Sequence, residues 1–251
     1  MLDDAGPIAR VTLNRPDKRN PIGTQTCAEL IDALDHLRNS TVVRVVVITG
    51  AGAIFSAGGD LSSMQPPPAS EGDRPASLVE LFSAMHELGK PIIAMVNGPA
   101  LAGGLGLMVA CDLVVAAETA ELGTTEIAVG LWPMMITAEI IRNIGRKKTL
   151  EMMLTGRRFS AKEALEWGLV NRVVRGDELE AETMKLASEL AERSPATIAL
   201  GLRAFYRSQD MEFEPALRYL EGQLGRVLTL EDAAEGVAAF LQKRKPVWKG
   251  K

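Results

Sequence analysis

The sequence predicts an α/β fold that ends in a helical module, and three observations carry this expectation. Val42 to Thr49, Ile92 to Val96 and Leu113 to Ala117 are nearly continuous apolar runs rich in β-branched residues, as strands covered on both faces require. Between the runs lie stretches with helical periodicity, clearest in Thr24 to Asn39, where Leu30, Ile31, Leu34 and Leu37 share one face. After Leu169 to Val174 no strand pattern returns. From about Glu178 to Leu241, Pro195 and Pro215 divide the chain into amphipathic helices.

A chain of 251 residues is long enough for one sizeable core, and 47% hydrophobic with 24% charged residues suits a soluble globular protein. No apolar run reaches the length of a membrane span. The beginning, MLDDAGPIAR, is acidic and lacks a cationic segment followed by an apolar one, so a cytoplasmic location is expected. Cys27 and Cys111 match no metal-ligand spacing and are expected to be inert buried thiols; no metal and no resident cofactor are expected. A net charge of -4 offers no general attraction to nucleic acid or anionic lipid, so an anionic ligand has to be met locally.

In order along the chain, Ile8 to Leu13 reads as a strand, and Asn14 to Pro21, with two prolines and three basic residues, as an exposed loop. His36, inside the first helix among charged neighbours, reads as a solvated residue. Gly50 to Leu61, GAGAIFSAGGDL, places four glycines after a strand with one apolar anchor, Phe55, as in a loop whose backbone does the binding. No Gly-Lys-Ser/Thr follows, which removes a phosphate loop; Asp60 reads as a cap for the next short helix. Met64 to Ala76 holds four prolines and reads as a surface loop. Ser77 to Glu80 is a capping box opening a helix to about Leu88, with His86 in its last turn. The central stretch, Ile92 to Asp112, reads as strand, turn and helix start. Gly103 and Gly104 stand where backbone N–H groups lack helical partners and favour an oxygen gaining negative charge. Glu126 is a lone carboxylate among apolar or small neighbours, a setting that raises a carboxyl pKa and suits acid/base work. Ser160 to Glu163 is a second capping box with Gly168 as its stop, and the tail from Lys243 to Lys251 is strongly basic.

Six segments, in order and spacing, resemble the enoyl-CoA hydratase/isomerase, or crotonase, superfamily: NRPDKRNP, GAGAIFSAGGDL, KPIIAMVNGPALAGG, CDLVVAAETAELGTTEIAVG, LTGRRFSAKEALEWGLVNRVV and FLQKRKPVW. The resemblance implies a spiral of ββα units forming two roughly perpendicular sheets over residues 1–192. It further implies a C-terminal helical trimerisation module over 193–251, with trimers often paired into hexamers. The implied ligand is an acyl-CoA thioester, coenzyme A being part of the substrate. By resemblance the N–H groups of Gly59 and Gly103 hold the thioester oxygen as it becomes an enolate. Such preorganised donors are each worth about 10² to 10³ in rate. Around them Ala57, Asp60, Leu61, Gly106 and Trp132 are implied to line the substrate site, and Lys18 or Arg19 with Lys243 are candidates for the CoA phosphates.

Departures from the family pattern bear on the reaction. Of the two glutamates of family hydratases, the second corresponds to Glu126 and the first falls on Gly106, which is either a packing contact or room for an acyl chain. The family's P-G-x-G-G segment is replaced by Trp132-Pro133-Met134-Met135-Ile136, so an apolar, bulkier wall is expected and a halide-displacing Asp nucleophile is missing. With one carboxylate the simplest chemistry is an isomerase-like proton shuttle by Glu126. An enoyl-CoA hydratase is the alternative, and a non-catalytic acyl-CoA-binding protein the alternative of another class.

Overall fold

The computed structural model describes residues 1–60 and 75–251. A short edge strand β1 (Leu2–Asp3) precedes β2 (Ile8–Leu13), α1 (Thr24–Asn39), β3 (Val45–Gly50), α2 (Leu78–Glu87), β4 (Ile92–Val96), β5 (Ala100–Leu101) and α3 (Gly103–Val109). Then come β6 (Leu113–Ala117), β7 (Glu121–Gly123), α4 (Met134–Ile144), α5 (Arg146–Thr155), β8 (Phe159–Ser160), α6 (Ala161–Trp167) and β9 (Arg172–Val174). Four helices close the chain: α7 (Leu179–Ala191), α8 (Pro195–Ser208), α9 (Phe213–Leu228) and α10 (Glu231–Leu241). Among the described residues the strands form two sheets, one ordered β1-β2-β3-β4-β6-β9 and a small one ordered β5-β7-β8.

The large sheet is parallel from β2 to β9, and its central strands β3, β4 and β6 are buried on both faces as their composition requires, whereas β2 alternates buried and half-buried residues. Period-2 alternation sorts the side chains into two clusters. Val46, Ile48, Ile92, Ala94, Val114 and Ala116 join the larger core with α1, α2 and α3, whereas Val45, Val47, Ile93, Met95 and Val115 pack beneath Leu179, Leu186 and Ala187 of α7. Two strands of the large sheet deliver the chain into the small sheet before the next helix: β4 leads to β5 and α3, and β6 leads to β7 and a 3-10 turn over Glu126–Val129. This is the ββα repeat that the resemblance implies.

Local signals placed most boundaries. The Ser77 and Ser160 capping boxes are both formed, and α1, β2, β4 and β6 have the expected limits. Three expectations are corrected. The strand read from Val42 starts at Val45, because the Ser40 hydroxyl accepts from the Val42 and Val43 N–H groups and holds them in a turn. The strand read from Leu169 is confined to Arg172–Val174, since Leu169 N–H closes the end of α6 on Ala164 O. Pro215 does not divide two helices. It sits in the first turn of α9, where an N–H has no helical acceptor, and the break falls between Ser208 and Phe213. Pro195, by contrast, opens α8 at its first position.

The basic tail folds back on α10. Arg244 pairs with Glu235 at 2.5 Å, Lys249 with Glu231 at 3.1 Å, and the Trp248 indole donates to Glu192 O at 2.7 Å. At the centre Asp232, 1% exposed, accepts from Ser194 Oγ at 2.6 Å and from Lys249 N–H at 2.7 Å. Replacing Asp232 by Ala leaves those donors without an acceptor, and a loss of about 2–3 kcal/mol is expected. It is measured as a lower urea midpoint, with faster amide exchange confined to residues 247–251.

Candidate active site

Three short strand segments lie abreast in the small layer. Ser56 bridges Ala100 in parallel, and Ala100 and Leu101 pair in parallel with Leu122 and Gly123. The hydrogen bonds fix this register: Ser56 N–H donates to Pro99 O at 3.1 Å, Leu101 N–H to Ser56 O at 3.0 Å, and Ala102 N–H to Gly123 O at 2.8 Å. Counting on from the aligned residues, Gly59, Gly103 and Glu126 all follow within four positions. The C-terminal ends of three neighbouring segments therefore deliver the two glycines and the carboxylate to one edge. Ligands of α/β proteins gather at such an edge.

The glycines are needed for close approach. A Cβ on Gly58, which has φ 102, would stand 2.6 Å from Ala102 Cβ and 2.9 Å from Leu101 O, and one on Gly104 would stand 2.6 Å from Ser56 Cβ. With hydrogen there instead, the two loops touch, and a Cβ on Gly103 would lie only 3.7 Å from Gly59 N. The Ile22 N–H donates to Gly58 O at 2.7 Å within a parallel bridge centred on Gly59, so the N–H of Gly59 points away from Ile22. Among the described residues no carbonyl accepts from the Gly59 or the Gly103 N–H. Ala102 turns the chain into α3 with φ 49 and ψ -126, a conformation that costs a non-glycine residue about 1–3 kcal/mol.

Glu126 opens the 3-10 turn that follows β7. Thr124 Oγ1 donates to Met152 O at 3.0 Å, and Gly156, with φ 58, leaves room for Ile127, so the turn is pressed onto α5. The Glu126 side chain is half-buried. Its Oε2 is buried with no hydrogen-bond partner among the described residues, and desolvation raises its pKa above the ordinary 4.5, against a smaller lowering by its own backbone N–H.

Asn20 organises the near side of the site and was not singled out from the sequence. It is 1% exposed and adopts φ 52, and its side chain donates to Ala51 O at 3.0 Å and Ile54 O at 2.9 Å while accepting from Arg15 N–H at 3.0 Å. Ala57 N–H donates to Arg19 O at 2.9 Å and Ser56 Oγ to Asn20 O at 2.7 Å. The loop bearing the exposed Lys18 and Arg19 is thereby stitched to the one bearing Gly59. Asp60 lies 3.8 Å from Arg15. Its expected helix cap, Leu61 and residues 64–74 of the surface loop fall outside the described residues. Lys243 is in the turn after α10, a helix packed on α8 and α9.

Of the two readings of Gly106, the structure has the packing contact. A Cβ there would collide with Ile136 Cγ2, stand 2.9 Å from Ile136 Cβ and 3.4 Å from Phe82 Cζ, so no room is left for an acyl chain at that point. Trp132 packs half-buried against the main core just before α4. His86, expected to act only through the helix end, stacks on Tyr206 at 4.0 Å and faces Glu139 at 3.4 Å. His36, exposed, meets Asp4 at 2.8 Å. Both cysteines are buried free thiols, and burial pushes that of Cys27 up to about 11.

Two loops closing on a pair of backbone donors, beside a desolvated carboxylate on a ββα spiral, define a protein of the crotonase fold. The sequence profile described as "Enoyl-CoA hydratase/isomerase" matches residues 3–251, and the chain belongs to that family. A Thermus thermophilus relative that bears an enoyl-CoA hydratase name is 38% identical, over 97% of this chain and 98% of its own. The carnitinyl-CoA dehydratase of Salmonella typhi is also 38% identical, over 98% of this chain and 96% of its own. The crystal structure of an enoyl-CoA hydratase from Mycobacterium smegmatis superposes with a TM-score of 0.89 at 35% identity, covering 99% of this chain and 98% of that one. One from a Polaromonas species gives 0.92 at 31% identity, with 99% of each chain covered.

The raised pKa of Glu126 fixes the sign of a stability effect. The folded state holds this proton more tightly than the unfolded chain, so the carboxylate destabilises the fold progressively as pH rises above 4.5 and has no such effect below it. Glu126→Gln is therefore expected to melt at a higher temperature than the wild type near neutrality and at the same temperature below pH 4.5, by calorimetry at the two pH values.

Proposed function

We propose that the protein isomerises 3-enoyl-CoA thioesters to 2-enoyl-CoA. The thioester oxygen is held by the N–H groups of Gly59 and Gly103. Glu126 takes a proton from the α-carbon, the C–H electron pair moves into the carbonyl, and the resulting enolate is stabilised by the two donors. The same carboxyl then returns the proton at the γ-carbon. The electron pair of the enolate re-forms the carbonyl, and the double bond now lies between the α- and β-carbons. The net change is a shift of one proton and one double bond, which a single carboxylate completes.

The observation that carries this reading is the desolvated oxygen of Glu126, without a hydrogen-bond partner among the described residues, at the same strand edge as both donors. Its raised pKa suits both removal and return of a proton. A second reading, reversible addition or removal of water across the α–β bond, is favoured by the hydratase and dehydratase names of the relatives. Purified protein offered 3-enoyl-CoA and 2-enoyl-CoA in parallel separates the two. Rapid isomerisation with slow hydration is expected, and Glu126→Gln should lower isomerisation by about 10² to 10⁴. Rapid hydration that survives Glu126→Gln would overturn both the assignment and the mechanism. Thioester binding without turnover of either compound would leave an acyl-CoA-binding protein.

The same reading takes the working unit to be a homo-oligomer. Phe213, Leu217, Leu220, Leu224 and Leu228 form one stripe along α9 and all are exposed, with Phe213 at 77%, and Phe240 of α10 is 83% exposed. A second copy covering this stripe removes it from water. Light scattering of the wild type is expected to give a mass of three or six times 27.0 kDa, reduced to that of one chain by Leu220→Glu with Leu224→Glu.

A further inference from the structure

Below the two donors, α2, α3 and α4 meet along one seam. Residues 103 and 106 are neighbours on one face of α3, three positions apart. Leu78 of α2 comes within 3.8 Å of where a Cβ on Gly103 would stand. One turn along, Phe82 of α2 and Ile136 of α4 close over Gly106, both buried, with Ile136 only 2% exposed. The seam is apolar for two turns. Its first titratable side chains, His86 and Glu139, 3.4 Å apart, lie a further turn away, behind Phe82 and Ile136.

Adding water to a 2-enoyl thioester needs more than an enolate site and a proton donor. Some group has to accept a proton from water as its oxygen bonds to the β-carbon, while the C=C electron pair passes to the thioester oxygen and Glu126 protonates the α-carbon. Position 106 lies on the same face of α3 as Gly103, one turn on, where a longer side chain could offer such a group. We infer that Ile136 is the specificity-determining residue of this site: seated on Gly106, it occupies that place, and with Phe82 it walls the acyl group against water. The inference rests on the reading of Gly59, Gly103 and Glu126 as an enolate site. It makes Gly106 and Ile136 a matched pair, because a Cβ at 106 meets both the Cγ2 and the Cβ of Ile136. A Cβ is fixed by the backbone, so no rotation of the isoleucine clears it.

Two measurements on the whole chain test this. The first is a cycle of melting temperatures. Gly106→Ala should lower the melting temperature in the wild type and lower it much less in Ile136→Gly; an equal drop in both backgrounds would overturn the pairing. The second is the hydration rate of short-chain 2-enoyl-CoA. Gly106→Glu alone should not hydrate, whereas Gly106→Glu with Ile136→Gly should gain about a hundredfold over the wild type, and the gain should vanish when Glu126→Gln is added. Failure of the doubly substituted protein to hydrate, while it still melts cooperatively and binds the thioester, would overturn the role given to Ile136. Wild type that fails to isomerise 3-enoyl-CoA would instead overturn the preceding reading, with the hydration and melting measurements still deciding this one.

Discussion

The approach of two backbone segments at Gly58 and Gly104 is the constraint on which the site depends. A methyl group at either position would stand 2.6 Å from a neighbouring Cβ. At that separation the loop after Ser56 meets the start of α3, and a Cβ on Gly103 would lie 3.7 Å from Gly59 N. The strain at Ala102 belongs to the same contact. Its φ of 49 is held from both sides, by Leu101 N–H on Ser56 O and by Ala102 N–H on Gly123 O, so the short strands over-determine a backbone conformation that an isolated chain would avoid. Wherever α3 is placed by that turn, α2 and α4 must follow, because Leu78, Phe82 and Ile136 pack directly on its glycines.

Much of the fold was legible because strong local signals coincide with it. β-branched runs buried on both faces, the amphipathic α1 and two capping boxes each specify an element with little help from the rest of the chain. The strands of the small sheet were not legible as strands. Ala100–Leu101 and Phe159–Ser160 have two residues each, too few for any period, and exist only because the large sheet sets their neighbours side by side. The shift of the strand start from Val42 to Val45 has a comparable cause: the apolar pattern is there, but the Ser40 hydroxyl offers the same backbone a competing turn.

The site divides along similar lines. Glycine clusters announce a backbone-lined loop, and both were readable as such; the pairing of Gly59 with Gly103 came only from the resemblance, since nothing in the local sequence relates residues so far apart. Asn20 could have been noticed, because an asparagine in a loop tolerates the left-handed region and its amide can bond two carbonyls, although the proline that follows it favours extended backbone. Ile136 could not. Its partner Gly106 lies thirty positions earlier, and an isoleucine in an amphipathic helix carries no mark of which glycine it will cover. The missing carboxylate was thus visible in the sequence, while the side chain that fills its place was not.

Two unfavourable features of this molecule lie at the edge of the small sheet, and the large sheet is what permits them. The turn at Ala102 costs about 1–3 kcal/mol, and a half-buried carboxylate with no partner for one oxygen among the described residues adds to it. Against that, burying a single valine or isoleucine stabilises by about 1.5–3 kcal/mol, and β3 alone buries Val45, Val46, Val47 and Ile48 between the two cores. A sheet covered on one face would have half as many such residues per strand. Strain and a desolvated charge can therefore be held at the ends of β5 and β7, because the strands that lead into them are fixed from both sides. The placement of Glu126 after β7 is in this sense a property of the doubly covered sheet, whose strand β6 leads directly into β7.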